Sequence, residues 1–478
     1  MKRFRLLAGL VFILMLATAC SGDVIGTDGR EPTPDSQTTP DDQTPDGEQT
    51  PDGQSPDNQT PDSQTPDGQQ SPDDQTPDGG NPHGPQVPEP LPSMEVTTAG
   101  GVAVESKTEY VDAVLCLTTT AGRTEAGCRI RGRGNATWTY EKKPYKIKLD
   151  EALPLCGMPA EKDWVLLAEY CDKSLLRTMW MCTLSEAVGM PYTISLRHIE
   201  LTLNGEYLGI YLLAEQVEKG RNRVDIAADG FIIEDDHYWW QEPLSFSTPH
   251  RGQFTFKYPD ADDEEITSSS ESYFYIRDRL LSLEDALYGP DFRDPEQGYR
   301  AWLDVDTFVK WYLVNELLCN YDPNLYYVMP TRGARLMMYP LWDFEWSLGL
   351  AGRAPSGVGW ASPPLTSPVD IDLWSREKYF KRLFQDPAFV EDVRTQWATL
   401  KSSLPEVKER VRKAAETISV AQNHNFERWP ILDQYVSVGL IALGSWEAEV
   451  DYLEDFFDRR AAWFDTFITE FGSEKPND

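Results

Sequence analysis

The chain has 478 residues and a formal charge of -34, from 44 Lys and Arg against 78 Asp and Glu. Such an acidic chain is repelled by phosphate backbones, which excludes nucleic-acid binding as a property of the whole molecule. All 15 Trp lie after residue 94, so the core-forming content is confined to roughly 385 residues, more than one core usually holds, and two lobes are expected.

The chain opens on an export signal. Lys2, Arg3 and Arg5 precede the one long apolar run, Leu6 to Ala17, which is too short to span a bilayer as a mature helix and speaks against integral membrane transport. Ala17-Thr18-Ala19-Cys20 closes it, so residues 1–19 read as a signal peptide and Cys20 as a lipidation site. The expected location is outside the cytoplasm, as a lipoprotein of the outer membrane or cell surface that touches the membrane only through Cys20. The same Ala-x-Ala suits ordinary signal peptidase, which would release a soluble secreted protein.

Residues 20–93 repeat Thr-Pro-Asp-x-Gln, as in Thr60-Pro61-Asp62-Ser63-Gln64, and carry Val24 and Ile25 as their only sizeable aliphatics before Val87. A segment this poor in apolar side chains cannot offset its ordering entropy, so a disordered, self-repelling spacer is expected. The remainder of the chain, from residue 94 onward, is strongly acidic in its own right. Six cysteines come after Cys20, and in an exported chain an even number admits disulfides; Cys116 with Cys128, flanking Thr118 to Gly127, is the favoured pair.

From 94 to 265 the pattern is mainly strand, with β-prone runs at Tyr110 to Leu117, Cys128 to Gly132, Tyr145 to Leu149 and Trp164 to Ala168. Arg197 to Leu203 and Glu206 to Leu213 flank Asn204-Gly205, the dipeptide best suited to a type I′ hairpin turn. One helix interrupts this lobe, begun by Asp172 as N-cap and stopped at Gly189. From 266 to 478 helical spacing dominates, at Ser272 to Leu287, Val305 to Leu318, Tyr379 to Phe384, Leu404 to Val420 and Trp446 to Phe471, with a strand pair at Tyr326 to Pro330 and Leu336 to Leu341. The fold class is α+β, bilobal, with a sheet-rich first lobe and a helical second lobe.

Five His in no catalytic spacing, and no His-Glu-x-x-His, Gly-x-Ser-x-Gly or Walker loop, remove the usual hydrolase and P-loop readings. What stands out is a basic island, Arg129 to Lys148, with seven cations and only Glu141 among them. At its centre Arg131-Gly132-Arg133-Gly134-Asn135 combines accessible backbone N–H groups with forked guanidinium donors, a chemistry suited to phosphate. A basic hairpin paired with acidic neighbours is the plain structural alternative. Two carboxylates complete the constellation. Asp343 follows a strand, as a residue holding a divalent cation against polyphosphate would, and Asp322 follows a helix; a hairpin between them would bring both together, one to orient a hydroxyl and one to bind metal. A turn Asp and a helix-cap Asp are their structural alternatives.

These stretches together resemble the CotH kinase family of spore coat protein H-like atypical kinases: RGRGNATWTYEKKPYKIKLD from Arg131, LPLCGMPAEKDWVLLAEYCDKSLLRTM from Leu153, LTLNGEYLGIYLLAEQVEKGRNRV from Leu201, then NELLCNYDPN and YPLWDFEWSLG, in order over about residues 95–350. The resemblance implies a distant relative of the protein-kinase fold that uses ATP with Mg²⁺ or Mn²⁺ to phosphorylate Ser or Thr hydroxyls of a protein substrate. It implies that Asp322 is the catalytic-loop residue and Asp343 the metal-binding one, with Asn324 as a second metal ligand. One of Lys143 and Lys148 becomes the phosphate-binding cation with Glu215 as its partner, and Arg131 and Arg177 either phosphate ligands or structural ion pairs. The segment from Asp322 to Tyr326 departs from the pattern in being short and holding Pro323. An exported chain meets little ATP, so a non-catalytic surface adhesin on the same fold, with Tyr238-Trp239-Trp240 contacting a surface protein or carbohydrate, is the alternative.

Overall fold

The computed structural model describes residues 90–250, 253–261, 264–320, 322–351 and 378–471. The signal segment, Cys20 and the repeats of the spacer lie outside the described residues.

Seven strands close into a barrel. They are β1 (Ser93–Thr98), β2 (Val111–Thr119), β3 (Gly122–Gly132), β4 (Tyr145–Leu153), β5 (Glu161–Leu167), β6 (Leu196–Leu203) and β7 (Glu206–Glu215), in the order β1-β2-β3-β4-β5-β7-β6. A parallel β1–β6 pairing completes the ring. Leu115, Ile130, Ile147, Trp164, Leu201 and Leu213 point inward and fill it. The β6–β7 hairpin turns at Asn204-Gly205 with φ of 51° and 81°, as a type I′ turn requires.

Strand parity corrects the expected disulfide. Ala113, not Cys116, stands opposite Cys128, and Cys116 stands opposite Glu125. The Cys128 thiol belongs to the barrel interior with Leu115 and Leu117, whereas Cys116 lies between those two residues and therefore on the other face. Both cysteines are free, as are Cys156, Cys171 and Cys182.

The barrel's outer wall is where the two cores meet. Arg131 pairs with Lys146, Lys146 with Val165, Val165 with Ala214 and Ala214 with Leu196, a row running from cations to apolar side chains that pack on the second core. That core holds a five-stranded sheet, β12-β11-β8-β10-β9, built from β8 (Phe231–Asp235), β9 (Ser245–Ser247), β10 (Gln253–Tyr258), β11 (Leu325–Met329) and β12 (Met337–Met338). Strands β8 to β10 precede residue 265, yet β8 pairs with β11, β10 with β8 and β9 with β10, so all three belong to this sheet rather than to the barrel. Every residue of β8 is buried, so it lacks the alternation that marks a strand in sequence.

Eight α-helices complete the described residues: α1 (Arg177–Val188), α2 (Glu271–Tyr288), α3 (Val305–Leu318), α4 (Lys378–Leu383), α5 (Pro387–Lys401), α6 (Leu404–Ile418), α7 (Ala421–Arg428) and α8 (Trp446–Glu470). Before α1, Asp172 accepts from the backbone N–H groups of Ser174, Leu176 and Arg177, and Gly189 ends the helix in the left-handed conformation. The α3 helix is apolar on nearly all sides because it runs through the core. Helix α5 has no counterpart among the expected helices, although Asp386 caps it and Phe389, Val393, Trp397 and Leu400 form its buried stripe. Among the described residues no helix is long and apolar enough to cross a membrane.

Candidate functional site

Two loops carry the carboxylates. The first leaves the C-terminal end of α3, where Cys319 is left-handed at φ 50°, and the N–H groups of Cys319 and Asn320 return to the carbonyls of Glu316 and Asn315. This is a Schellman closure made without glycine, and it delivers Asp322. The second loop comes after the short β12. Asp343 is itself left-handed at φ 63°, a conformation Asp tolerates better than most side chains, and the chain then turns back over Ser347 to Leu350. The antiparallel pairing of Tyr327 with Met338 draws the two loops together, as the expected hairpin requires.

Asp322 and Asp343 are both exposed to solvent, each on its own loop. Burial pushes the Asp343 carboxyl up to about 7; the negative charges of Asp322 and Glu345 add to the rise, and Arg133 opposes it. Burial raises Asp322 as well. Arg133 lies just past the end of β3, with its guanidinium 5.7 Å from the Trp342 ring centroid. Tyr238 also faces the pair: burial raises its phenol, and Asp322, Asp343 and Asp236 add to this. On the sheet side, Glu234 takes the Asn324 amide and pairs with Lys257 at 3.1 Å.

Behind the Asp343 loop lies a buried support. Glu345 accepts from the Cys171 N–H at 2.7 Å. Arg177, wholly buried, pairs with Asp172 and donates its Nε to the Ser347 carbonyl at 2.8 Å. Lys142, only 2% exposed, donates to the Ile210 carbonyl and to Asn425 of α7, and burial pushes its ammonium down to about 7 against the pull of Glu169 and Glu345.

The fold brings together some of the residues singled out from sequence and separates others. Asp322 and Asn324 precede β11 and Asp343 follows β12, so the pairing of those strands gathers all three at one end of the hairpin. Arg177 holds the turn behind Asp343 through buried contacts. Arg131 donates to the Lys107 carbonyl and lies over Tyr110, Lys143 donates to the Trp138 carbonyl at 2.8 Å, and Lys148 stands 3.8 Å from Asp163. Glu215 is not joined to either lysine: it shares the inner parity of Leu213, and its carboxylate accepts from Tyr192 and from the Ser195 N–H, both at 2.8 Å. Arg129, Arg131, Lys146 and Lys148 nonetheless share the outer face of the β3–β4 ladder, so the basic island exists as a surface. Arg133 and Tyr238 were named only within the stretches Arg131 to Asn135 and Tyr238 to Trp240, without a role beside Asp343, and Glu345, Lys142 and Asn320 were given no role. The first could have been found in Arg131-Gly132-Arg133, since strand parity ends at Gly132 and frees the next arginine to turn elsewhere.

A divalent ion bound with nucleotide takes one or two protein carboxylates and completes its shell with phosphate oxygens and water. Two mutually repelling carboxylates, open to solvent and faced by one guanidinium, fit that demand. Among the described residues no group of three or more His, Cys, Asp or Glu is placed to hold a metal by itself.

No curated protein matches the chain. A family model described as CotH kinase protein matches residues 130–464, a span that takes in barrel strands β4 to β7, both carboxylate loops and most of α8. With that match covering well over half of its length, the chain belongs to the CotH kinase protein family.

Proposed function

We propose that the protein is a metal-dependent kinase that transfers phosphate from ATP to Ser or Thr hydroxyls of a protein substrate outside the cytoplasm, held to a membrane through a lipid on Cys20. Barrel and helical part would act as the two lobes of a distantly kinase-like fold. The reading is supported by one feature: two solvent-exposed carboxylates, Asp322 and Asp343, stand on loops joined by the β11–β12 pairing, and the charges of Asp322 and Arg133 both act on Asp343. Asp343 would hold Mg²⁺ or Mn²⁺, with the carbonyl oxygen of Asn324 as a second ligand, since its amide nitrogen is given to Glu234. ATP brings the phosphoryl group and the cation offsets the charge on its oxygens. Asp322 orients the acceptor hydroxyl and takes up its proton. Arg133, backed by the cations on the outer β3–β4 face, neutralises the phosphates beside Asp343, a local reversal of field that an acidic chain needs to attract a polyanion.

A non-catalytic binding protein on the same fold is the second reading, and Trp239 and Trp240, 40% and 50% exposed beside Tyr238, which lies near Asp322 and Asp343, favour it. A melt series separates the two. A kinase gains stability from ATP with Mg²⁺ or Mn²⁺ in proportion to RT ln(1 + [L]/Kd), and a protein that binds neither shows no shift.

A further inference from the structure

We propose that Asn320 is the positioning residue that sets Asp322 and Asp343 against one another, an inference that rests on the phosphoryl-transfer reading of the site. Asn320 is 1% exposed and uses every polar atom of its side chain between the two loops. Its Nδ2 donates to the Asp343 carbonyl at 3.1 Å and to Asn315 Oδ1 at 3.2 Å, and its Oδ1 accepts from the Asp322 N–H at 3.3 Å. One planar amide thus holds the backbone of both carboxylate-bearing residues.

The amide is itself fixed. Its own N–H closes the Schellman turn on the Asn315 carbonyl at 3.0 Å. Asn315 in turn donates to the Trp311 carbonyl inside α3, and buried Arg460 of α8 clamps the neighbouring Glu316 through both its carboxylate and its carbonyl. The link therefore runs from a rigid helix end to two loops whose conformations need support, Asp343 being left-handed at φ 63°. Neither carboxylate is touched by Asn320, so it acts on their placement and leaves the chemistry to them. Groups that orient such ligands typically change metal affinity or activity by roughly 10- to 100-fold when removed.

Asn320→Ala, with Asn320→Ser as the milder change, is compared with wild type for transfer under saturating ATP and Mn²⁺, and for binding of Mn²⁺ alone by electron paramagnetic resonance. The expected result is a fall in kcat on the order of 10- to 100-fold, KM for ATP within about twofold, and weaker Mn²⁺ binding. In the Asp322→Asn background the same change should cost less than about twofold more, because a residue that acts through Asp322 has little left to lose there. Asn315→Ala removes the amide's other partner without touching either loop, so it should lower the melting temperature and leave kcat within about twofold. Full, multiplicative loss in the double variant overturns the inference, as does a drop in kcat by Asn315→Ala equal to that by Asn320→Ala. If wild type binds Mn²⁺ but transfers nothing, the kinase reading fails, and unchanged Mn²⁺ affinity in Asn320→Ala then overturns the positioning role separately. A wild type with neither property overturns both.

Discussion

Gly349 tests how the Asp343 loop is held. It sits at φ 73° in the turn after Asp343, and a Cβ built there would meet Tyr452 Oη at 2.4 Å and Phe456 Cε2 at 2.6 Å, both on α8. Gly349→Ala therefore meets two costs: about 1 to 2 kcal/mol for a left-handed residue with a side chain, and about 1 to 3 kcal/mol for forcing the loop off α8 or displacing a ring. Gly333, in the turn between β11 and β12, has φ 81° and nothing within 4 Å of its Cβ position, so Gly333→Ala carries the first cost alone. Any stiffening of the unfolded chain by Ala is common to the two variants. At about 2 °C per kcal/mol in a domain of this size, Gly349→Ala should melt about 2 to 6 °C below Gly333→Ala. Differential scanning calorimetry reads the difference directly. Equal melting temperatures would show that the turn is free to move away from α8 without cost, and the account of a loop seated on a rigid helix would be wrong.

The same geometry sets further outcomes. Asp343→Asn should abolish transfer and the metal-dependent part of nucleotide stabilisation, whereas Asp322→Asn should keep that stabilisation and lower kcat by on the order of 10² to 10⁴-fold; wild-type transfer by Asp343→Asn refutes the assignment. Lys142, pushed down to about 7 from an ordinary 10.5 by burial, binds fewer protons folded than unfolded between those values, so its contribution makes stability rise with pH across that window, by at most about 1.4 kcal/mol per pH unit. Urea titrations of wild type and Lys142→Met at pH 7, 8 and 9 should show a steeper rise for wild type, and parallel curves would contradict a neutralised buried lysine. Unfolded without reductant, the chain should expose Cys116 and Cys128 to alkylation at once, with a retained deficit of about two hydrogen masses in that peptide pair as the contrary result. Cys20→Ser should move the protein from the membrane fraction to the soluble one; a wild type already soluble with an unmodified Cys20 removes the anchor.

The fold was legible where period and burial agree. Leu404 to Ile418 and the Asn204-Gly205 hairpin come out of spacing and turn chemistry alone, because the first buries one face, Val407, Val411, Ala415 and Ile418, and the second has one demanding turn. Strand β8 was illegible for the opposite reason: Phe231-Ile232-Ile233 is buried on both sides and then runs into three consecutive acids, Glu234, Asp235 and Asp236, so neither alternation nor a turn marks it. Its partner β11 lies far along the chain, and so distant a pairing leaves no local trace. The two cysteines show a further limit. Distance along the chain favoured joining Cys116 to Cys128, and only the register, which places Ala113 opposite Cys128, reveals that the thiols stand on opposite faces.

At the site, residue type was readable and residue geometry was not. A carboxylate after a helix and another after a strand are visible as letters, and the hairpin that joins them is present in the pairing of β11 with β12. The basic island is also visible as letters, but alternation divides it: residues of one parity, Arg129 and Arg131 with Lys146 and Lys148, share the outer wall, while Ile130 and Ile147 between them fill the barrel. Arg133 escapes this division because β3 has ended, and its charge acts on Asp343. Net charge over a window counts all seven cations alike; only the strand boundary separates those that coat the barrel from Arg133, whose charge acts on Asp343. The same logic explains why Asn320 is invisible as a letter. An Asn near a helix end reads as a cap, and its value lies in three hydrogen bonds whose partners are fixed by two loops and a helix from distant parts of the chain. Chemistry-bearing side chains are thus recoverable from sequence when they act through charge, and the groups that aim them become visible only once the backbone they bind has been placed.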